Sequence, residues 1–211
     1  MTAMAPDSLV SAFVTLLVVV DPVGLAPTFL AVTEGLPARA RRDVALRACL
    51  IAAAILAGTA AGGGWLLSTL AISLPAFRIA GGLLLFSIAS EMVFGVRMER
   101  QSQAAEQALE EHVRHIAAFP LAIPLMAGPG AITATLLLAG RTDSHLVELV
   151  LLIGVICAVV AICFVVYLAA SRIARLLGIT GNIVLSRLLG VILAALAVQY
   201  VIDGLRAVFA A

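Results

Sequence analysis

The sequence contains no lysine. All 13 of its basic residues are arginine, and against 12 Asp and Glu they leave a net charge of +1. A chain with so little excess charge has no basic field for phosphate backbones, which excludes a nucleic-acid partner. Charged residues of both signs make up only 12% of the chain, about half the share in soluble domains. Cysteine is scarce: Cys49, Cys157 and Cys163 all lie in apolar runs. Their spacing fits no metal motif, so they read as buried packing thiols. The three histidines, His112, His115 and His145, all fall in polar connections. There is no HExxH pair, no nucleophile-elbow serine and no Walker loop. A single carboxylate, Asp21, sits deep in an apolar run. Intramembrane catalysis needs paired carboxylates or a Ser–His set at depth, so the sequence points to no catalytic residues, no metal and no cofactor.

Apolar residues make up 63% of the 211, with a mean hydropathy of +1.17. A soluble fold of this size cannot hide that much apolar surface, and a disordered chain would not carry it. The expected class is an all-α polytopic membrane protein, a single membrane domain over 1–211. Six apolar runs are marked, at about 8–32, 44–70, 72–96, 116–140, 146–170 and 183–207. Each is long enough to cross a bilayer with some tilt. The second and third are split at 70–75, because Pro75 suits a helix start. No Arg or Lys precedes the first run, so no secretory signal is expected there.

The arginines are unevenly placed. Arg39, Arg41, Arg42, Arg47, Arg97, Arg100, Arg114, Arg172 and Arg175 follow the first, third and fifth runs; Arg141 and Arg206 hold the other side. The positive-inside rule then makes the odd-numbered connections cytoplasmic and both termini external, in a bacterial inner membrane. Trp65 falls near the outer interface and Tyr167 near the inner one, as an aromatic belt would have them. The polar stretch at about 97–115 is expected as a cytoplasmic connector with a short solvated helix. Its His112 and His115 lack enough neighbouring ligands for a metal.

The two halves of the chain repeat. Arg78, Gly81 and Gly95 recur as Arg187, Gly190 and Gly204 at a constant offset of 109 residues. Pro22 and Pro129 are offset by 107, and Thr28 and Thr133 lie just beyond them. Three spans per half is an odd number, so the halves enter the membrane in opposite senses. This predicts two inverted-topology three-helix repeats, about 8–96 and 116–207. Pro22 with Gly24, and Gly128 with Pro129 and Gly130, fall near the middle of the first and fourth runs. They predict helices 1 and 4 broken at the midplane. Backbone groups freed there must be buried or line a wet cavity. The other reading is a pair of proline kinks that only shape packing.

Asp21 is the sharpest single feature. A carboxylate at the midplane costs about 2.5–3.5 kcal/mol on insertion scales. It is therefore protonated, paired with an arginine, or bound to an ion or ammonium; alternatively it caps a half-helix that restarts at Pro22. Arg78 and Arg187 each precede a glycine by one helical turn. With Gly81, Gly82 and Gly190, which permit close approach, they are candidates for a gating or structural role against a broken helix; snorkelling to the interface is the alternative. Glu91 is expected near Arg97, and Asp203 beside Arg206. Gly58, Gly62, Gly63 and Gly64 form a small-residue stripe suited to helix packing or a dimer face.

The stretches AFVTLLVVVDPVGLAPTFLAVTEGL, ISLPAFRIAGGLLLFSIASEMVFG, FPLAIPLMAGPGAI and SRLLGVILAALAVQYVIDGL resemble the MarC family of inner-membrane proteins over nearly the whole chain. The family looks like part of the LysE-type transporter superfamily and includes SnatA-like transporters of small neutral amino acids. The resemblance implies a secondary transporter of glycine- or alanine-like substrates, driven by a proton or sodium gradient. Many relatives carry Asn-Pro where this chain has Asp21 and Pro22, so coupling through Asp21 does not follow for the family. The helix start at Gly128, Pro129, Gly130 and Thr133 is the candidate receptor for the substrate carboxylate. Asp21, Pro22 and Gly24 are candidates for the ammonium or coupling ion. Homo-oligomerisation stays open. So do a structural or regulatory membrane protein without transport, and a handler of lipid-linked substrates.

Overall fold

The computed structural model describes residues 6–110, 117–140 and 146–209. Its elements are helices: α1 (Pro6–Val20), α2 (Ala26–Val32), α3 (Ala38–Thr69), α4 (Leu74–Phe94), α5 (Val96–Glu110), α6 (Pro129–Ala139), α7 (Leu146–Leu168) and α8 (Ala170–Phe209), with an irregular helical segment at Ala117–Met126. Four helices, Ala38–Thr69, Leu74–Phe94, Leu146–Leu168 and Thr180–Phe209, are long and apolar enough to cross a membrane. A fifth span forms if Ala117–Met126 and Pro129–Ala139 count together; they are bent by 56°. At 1.5 Å per residue, even α4 reaches about 30 Å, the thickness of a hydrocarbon core. The protein is an all-α, polytopic membrane protein.

Local chemistry fixes the boundaries. α3 ends at Thr69, with Ala71 at φ 53. Ser73 opens α4, its hydroxyl accepting the Ala76 N–H, with Pro75 in the first turn. Gly95 ends α4 at φ 86, a left-handed conformation suited to glycine. α8 is interrupted at Gly178 (φ 61, ψ −176), which separates a short arginine-bearing piece from the long apolar one. The fourth expected span is less regular than a helix with one break. Phe119 and Ile123 are extended, each preceding a proline, because a residue before proline is pushed out of the helical region.

α4 packs most extensively on α8, and α3 on α7. Glycines set the first pairing. A β-carbon at Gly82 would lie 2.7 Å from the Ala197 carbonyl, and one at Gly190 2.8 Å from Met92 Cβ. One at Gly204 would lie 2.7 Å from Ile79 Cγ1 and 3.2 Å from Arg78 Cβ. Higher numbers on α8 meet lower numbers on α4, so the two helices run antiparallel at backbone-limited distance. Between apolar helices in lipid, such close van der Waals packing is a main source of association. Of the glycine stripe on α3, only Gly63 is packed, against Leu136; Gly58, Gly62 and Gly64 meet nothing within 4 Å.

Two expectations change. Tyr167 does not sit in an interfacial belt: it is 1% exposed and stacks on Phe29, with centroids 4.5 Å apart and planes 9° apart. Burying the ring against an aromatic partner in the core outweighs its preference for the headgroups. Trp65, by contrast, is 72% exposed. Cys49 and Cys163 are buried but Cys157 is exposed on α7, where an apolar thiol is tolerated by lipid. Asp203 accepts a hydrogen bond from Gln199 Nε2 at 2.7 Å, one turn away on α8. His112, His115, Arg114, Arg141 and His145 lie outside the described residues.

Candidate functional site

The chain between α1 and α2 forms a closed turn around Asp21. Asp21 takes φ 52, a conformation that Asp tolerates through local hydrogen bonds. Its Oδ1 accepts the Gly24 N–H at 3.0 Å, while the Leu25 N–H donates to its carbonyl at 3.1 Å. Its Oδ2 accepts the Ser186 hydroxyl of α8 at 3.1 Å. The carboxylate is 1% exposed and its two oxygens each have a protein donor. Asp21 thus caps a turn rather than a helix starting at Pro22. Pro22 is buried within the turn, and α2 starts at Ala26 with Leu25 before it. Gly24 is required by proximity, since a β-carbon there would fall on the Asp21 carboxylate.

The second break lies at Ala127 and Gly128, between the irregular segment and α6. Gly128 is extended (φ −82, ψ 178) and makes no side-chain cap. A β-carbon on it would collide with the Pro124 carbonyl, so the two segments touch through backbone. Pro129 has no N–H, and the first helical bond of α6 runs from the Ile132 N–H to the Gly128 carbonyl at 3.0 Å. The amides of Gly130 and Ala131 therefore belong to the unsatisfied first turn, which carries partial positive charge.

Gly128, Pro129, Gly130 and Ala131 line a cavity of about 350 Å³, near the lower end of the range for small-molecule sites. Val19, Leu84, Ile88 and Leu125 give it apolar walls; Glu91, Arg97, Arg100 and Gln101 supply the charged and polar ones. Arg97 reaches in from the start of α5. Its Nη2 donates to the Val19 carbonyl at 2.7 Å, one of the last carbonyls of α1, left open by the break. Its Nη1 is buried and has no hydrogen-bond partner among the described residues. Burial pushes the Arg97 pKa down from its ordinary value, while the carboxylates of Asp21 and Glu91 act to raise it. Glu91 does not pair with Arg97: its Oε1 meets Arg100 Nη2 at 3.0 Å, at a partly exposed edge.

The other expected residues are spread out. Thr133 is buried one turn into α6, its methyl against Gly81, and does not line this cavity. Gly81 faces α6, whereas Gly82 and Gly190 face the partner helix of the α4–α8 pair. Among the described residues no hydrogen bond joins Arg78 or Arg187 to either break. Instead each lies beside the other helix's glycine: Arg78 Cβ against Gly204, and Arg187 Nη2 3.8 Å from where a β-carbon of Gly95 would be. Arg78 buries an unpartnered Nε, while Arg187 is exposed. One further polar residue stands out. Asn182, one turn before Ser186, is 5% exposed, and neither end of its amide has a partner among the described residues. It lines a cavity of about 180 Å³ with Val23, Pro27 and Gly178.

Sequence reasoning named Asp21 and the Gly128 cluster but assigned no site role to Arg97, Ser186 or Asn182. By its sequence neighbours Arg97 reads as one of the connector charges. The available signal was Gly95, which stops α4 and turns Arg97 back toward the apolar core. Among the described residues no group of three or more His, Cys, Asp or Glu could hold a metal ion.

A family model described as MarC family integral membrane protein matches residues 7–209. Similar proteins include a UPF0056 membrane protein of Archaeoglobus fulgidus, 37% identical over 196 residues, which cover 92% of this chain and 91% of the relative. One from Aquifex aeolicus is 36% identical, with 93% and 92% covered. The UPF0056 membrane protein YhcE of Escherichia coli is 35% identical, with 93% and 91% covered. No solved structure matches.

Proposed function

The chain belongs to the MarC family of integral membrane proteins, and on that premise we propose that it is a secondary transporter of small neutral amino acids. The observation that carries this reading is the cavity at the second break, walled by the uncapped first turn of α6 and by Arg97. A helix N-terminus attracts anions through its free amides and its dipole. The substrate carboxylate sits there, with its short side chain against Val19, Leu84 and Ile88. The limited volume and mostly apolar walls favour glycine- or alanine-like substrates over bulky or charged ones.

The first break serves the coupling ion. Asp21 is a buried carboxylate at a chain interruption, and a proton or sodium ion would exchange with the Ser186 and Gly24 donors. Two inverted repeats, about 8–96 and 116–207, organise both breaks within one membrane domain. The reciprocal contacts of Arg78 with Gly204 and Arg187 with Gly95 support this, because an axis between antiparallel mates exchanges them. The arginine bias supports external termini and a cytoplasmic α5, in an inner membrane.

The test is uptake of labelled glycine, alanine and serine into proteoliposomes under imposed proton or sodium gradients. Saturable uptake that requires one of the gradients is expected. Absence of uptake of all three, by protein shown to be folded, overturns the reading.

A further inference from the structure

Arg97 is bonded beside one interruption of the chain and lines the cavity beside the other. Its Nη2 is committed to the Val19 carbonyl beside the first. Its Nη1 is enclosed without a partner among the described residues, and Arg97 lines a cavity bounded on another side by the start of α6, at the second. Leaving a buried charged donor unsatisfied is costly, and the Val19 bond holds the guanidinium in the wall of the cavity before any ligand arrives. Positive charge thus comes from two sides, Arg97 and the α6 amides of Gly130 and Ala131. Arg100 adds none, because Glu91 neutralises it.

We infer that Arg97 is the residue that reads the substrate carboxylate, and that it does so as a latch shared by the two breaks. The inference rests on the transporter reading and deepens it. One guanidinium with one free face matches one monoanionic, planar group; a phosphate dianion would lack a second counter-charge. A carboxylate oxygen takes Nη1 while the second oxygen takes the α6 amides. The occupied site then joins the end of α1 to the start of α6 through Arg97, which the empty site does not. Specificity follows: the ligand must present a carboxylate, and an amine alone does not close the latch.

Equilibrium binding to the full-length protein in nanodiscs tests this with alanine, with alaninamide, which lacks the carboxylate, and with propionate, which lacks the amine. Arg97→Gln is expected to weaken alanine about 10–100-fold, the worth of a charge-assisted hydrogen bond, and to leave the weaker alaninamide binding unchanged. Arg97→Lys keeps the charge but loses the fork, and is expected to fall between. Alanine binding that Arg97→Gln leaves intact overturns the latch while the transporter reading stands. If wild type binds no amino acid, that reading falls and propionate decides: its loss in Arg97→Gln supports the latch, and unchanged or absent propionate binding overturns it. Should Arg97→Gln fail to fold, the alanine-to-alaninamide affinity ratio in Arg97→Lys decides, and an unchanged ratio overturns the latch.

Discussion

Ser186 donates its hydroxyl to Asp21 Oδ2 at 3.1 Å, across 165 residues of sequence. The bond fastens the turn after α1 to the middle of the long helix α8, and it ties the most buried carboxylate among the described residues to a helix from the other half.

Asp21→Asn is expected to fold with little loss, because Asn tolerates the positive φ and its carbonyl still accepts the Gly24 N–H. Asp21→Ala removes both acceptors and puts a β-carbon residue at φ 52 without local compensation. It should cost about 1–3 kcal/mol more than the Asn variant. Thermal unfolding of the three proteins in detergent checks the order. In proteoliposomes, Asp21→Asn is expected to change the gradient dependence of uptake; an unchanged dependence reduces Asp21 to a cap.

The glycines divide into two groups with opposite outcomes. Gly82→Ala and Gly190→Ala each drive a methyl into the backbone or Cβ of the facing helix, and should destabilise by about 1–3 kcal/mol. Gly58→Ala, Gly62→Ala and Gly64→Ala meet open space and should be neutral or gain up to about 1 kcal/mol of helix propensity. Melting temperatures of single variants make the comparison.

At the second break, Gly128→Ala is expected to abolish uptake, since its methyl would strike the Pro124 carbonyl and push the irregular segment off the start of α6. Gly130→Ala meets the end of the Ile88 side chain, at 2.6 Å from Cδ1, which can rotate away. It should retain measurable uptake at a raised KM. Initial rates against substrate concentration separate the two.

Asn182→Leu replaces a buried amide with no described partner by an apolar group of similar size. It is expected to leave the unfolding temperature unchanged or higher, because it removes two unsatisfied polar atoms. A drop in unfolding temperature would mean that the amide is bonded in the folded protein, with ordered water as the available partner.

The sequence made the helical class and the long apolar runs legible, because composition and hydropathy act locally. It was less informative where tertiary packing decides. Tyr167 reads as an interfacial aromatic by type, but its ring is claimed by Phe29. Arg97 reads as a solvated connector charge by its neighbours, yet the turn at Gly95 sends it inward. The run at 116–140 reads as one helix with a single break, whereas Pro120 and Pro124 hold Phe119 and Ile123 extended and leave its first half irregular. Glu91 is expected to neighbour Arg97 and does line the same cavity, while its ion pair is with Arg100, one helical turn further along α5.

The stack of Phe29 on Tyr167 has a mechanical consequence. α2 is only seven residues long and follows the Asp21 turn, and its ring is clamped face to face on α7. Aromatic pairs of this kind add about 0.5–1.5 kcal/mol beyond their burial. Displacing α2 alone would tear that stack apart, whereas moving α2 and α7 together leaves it whole. The stack therefore sets a cost on any separate movement of α2 away from α7.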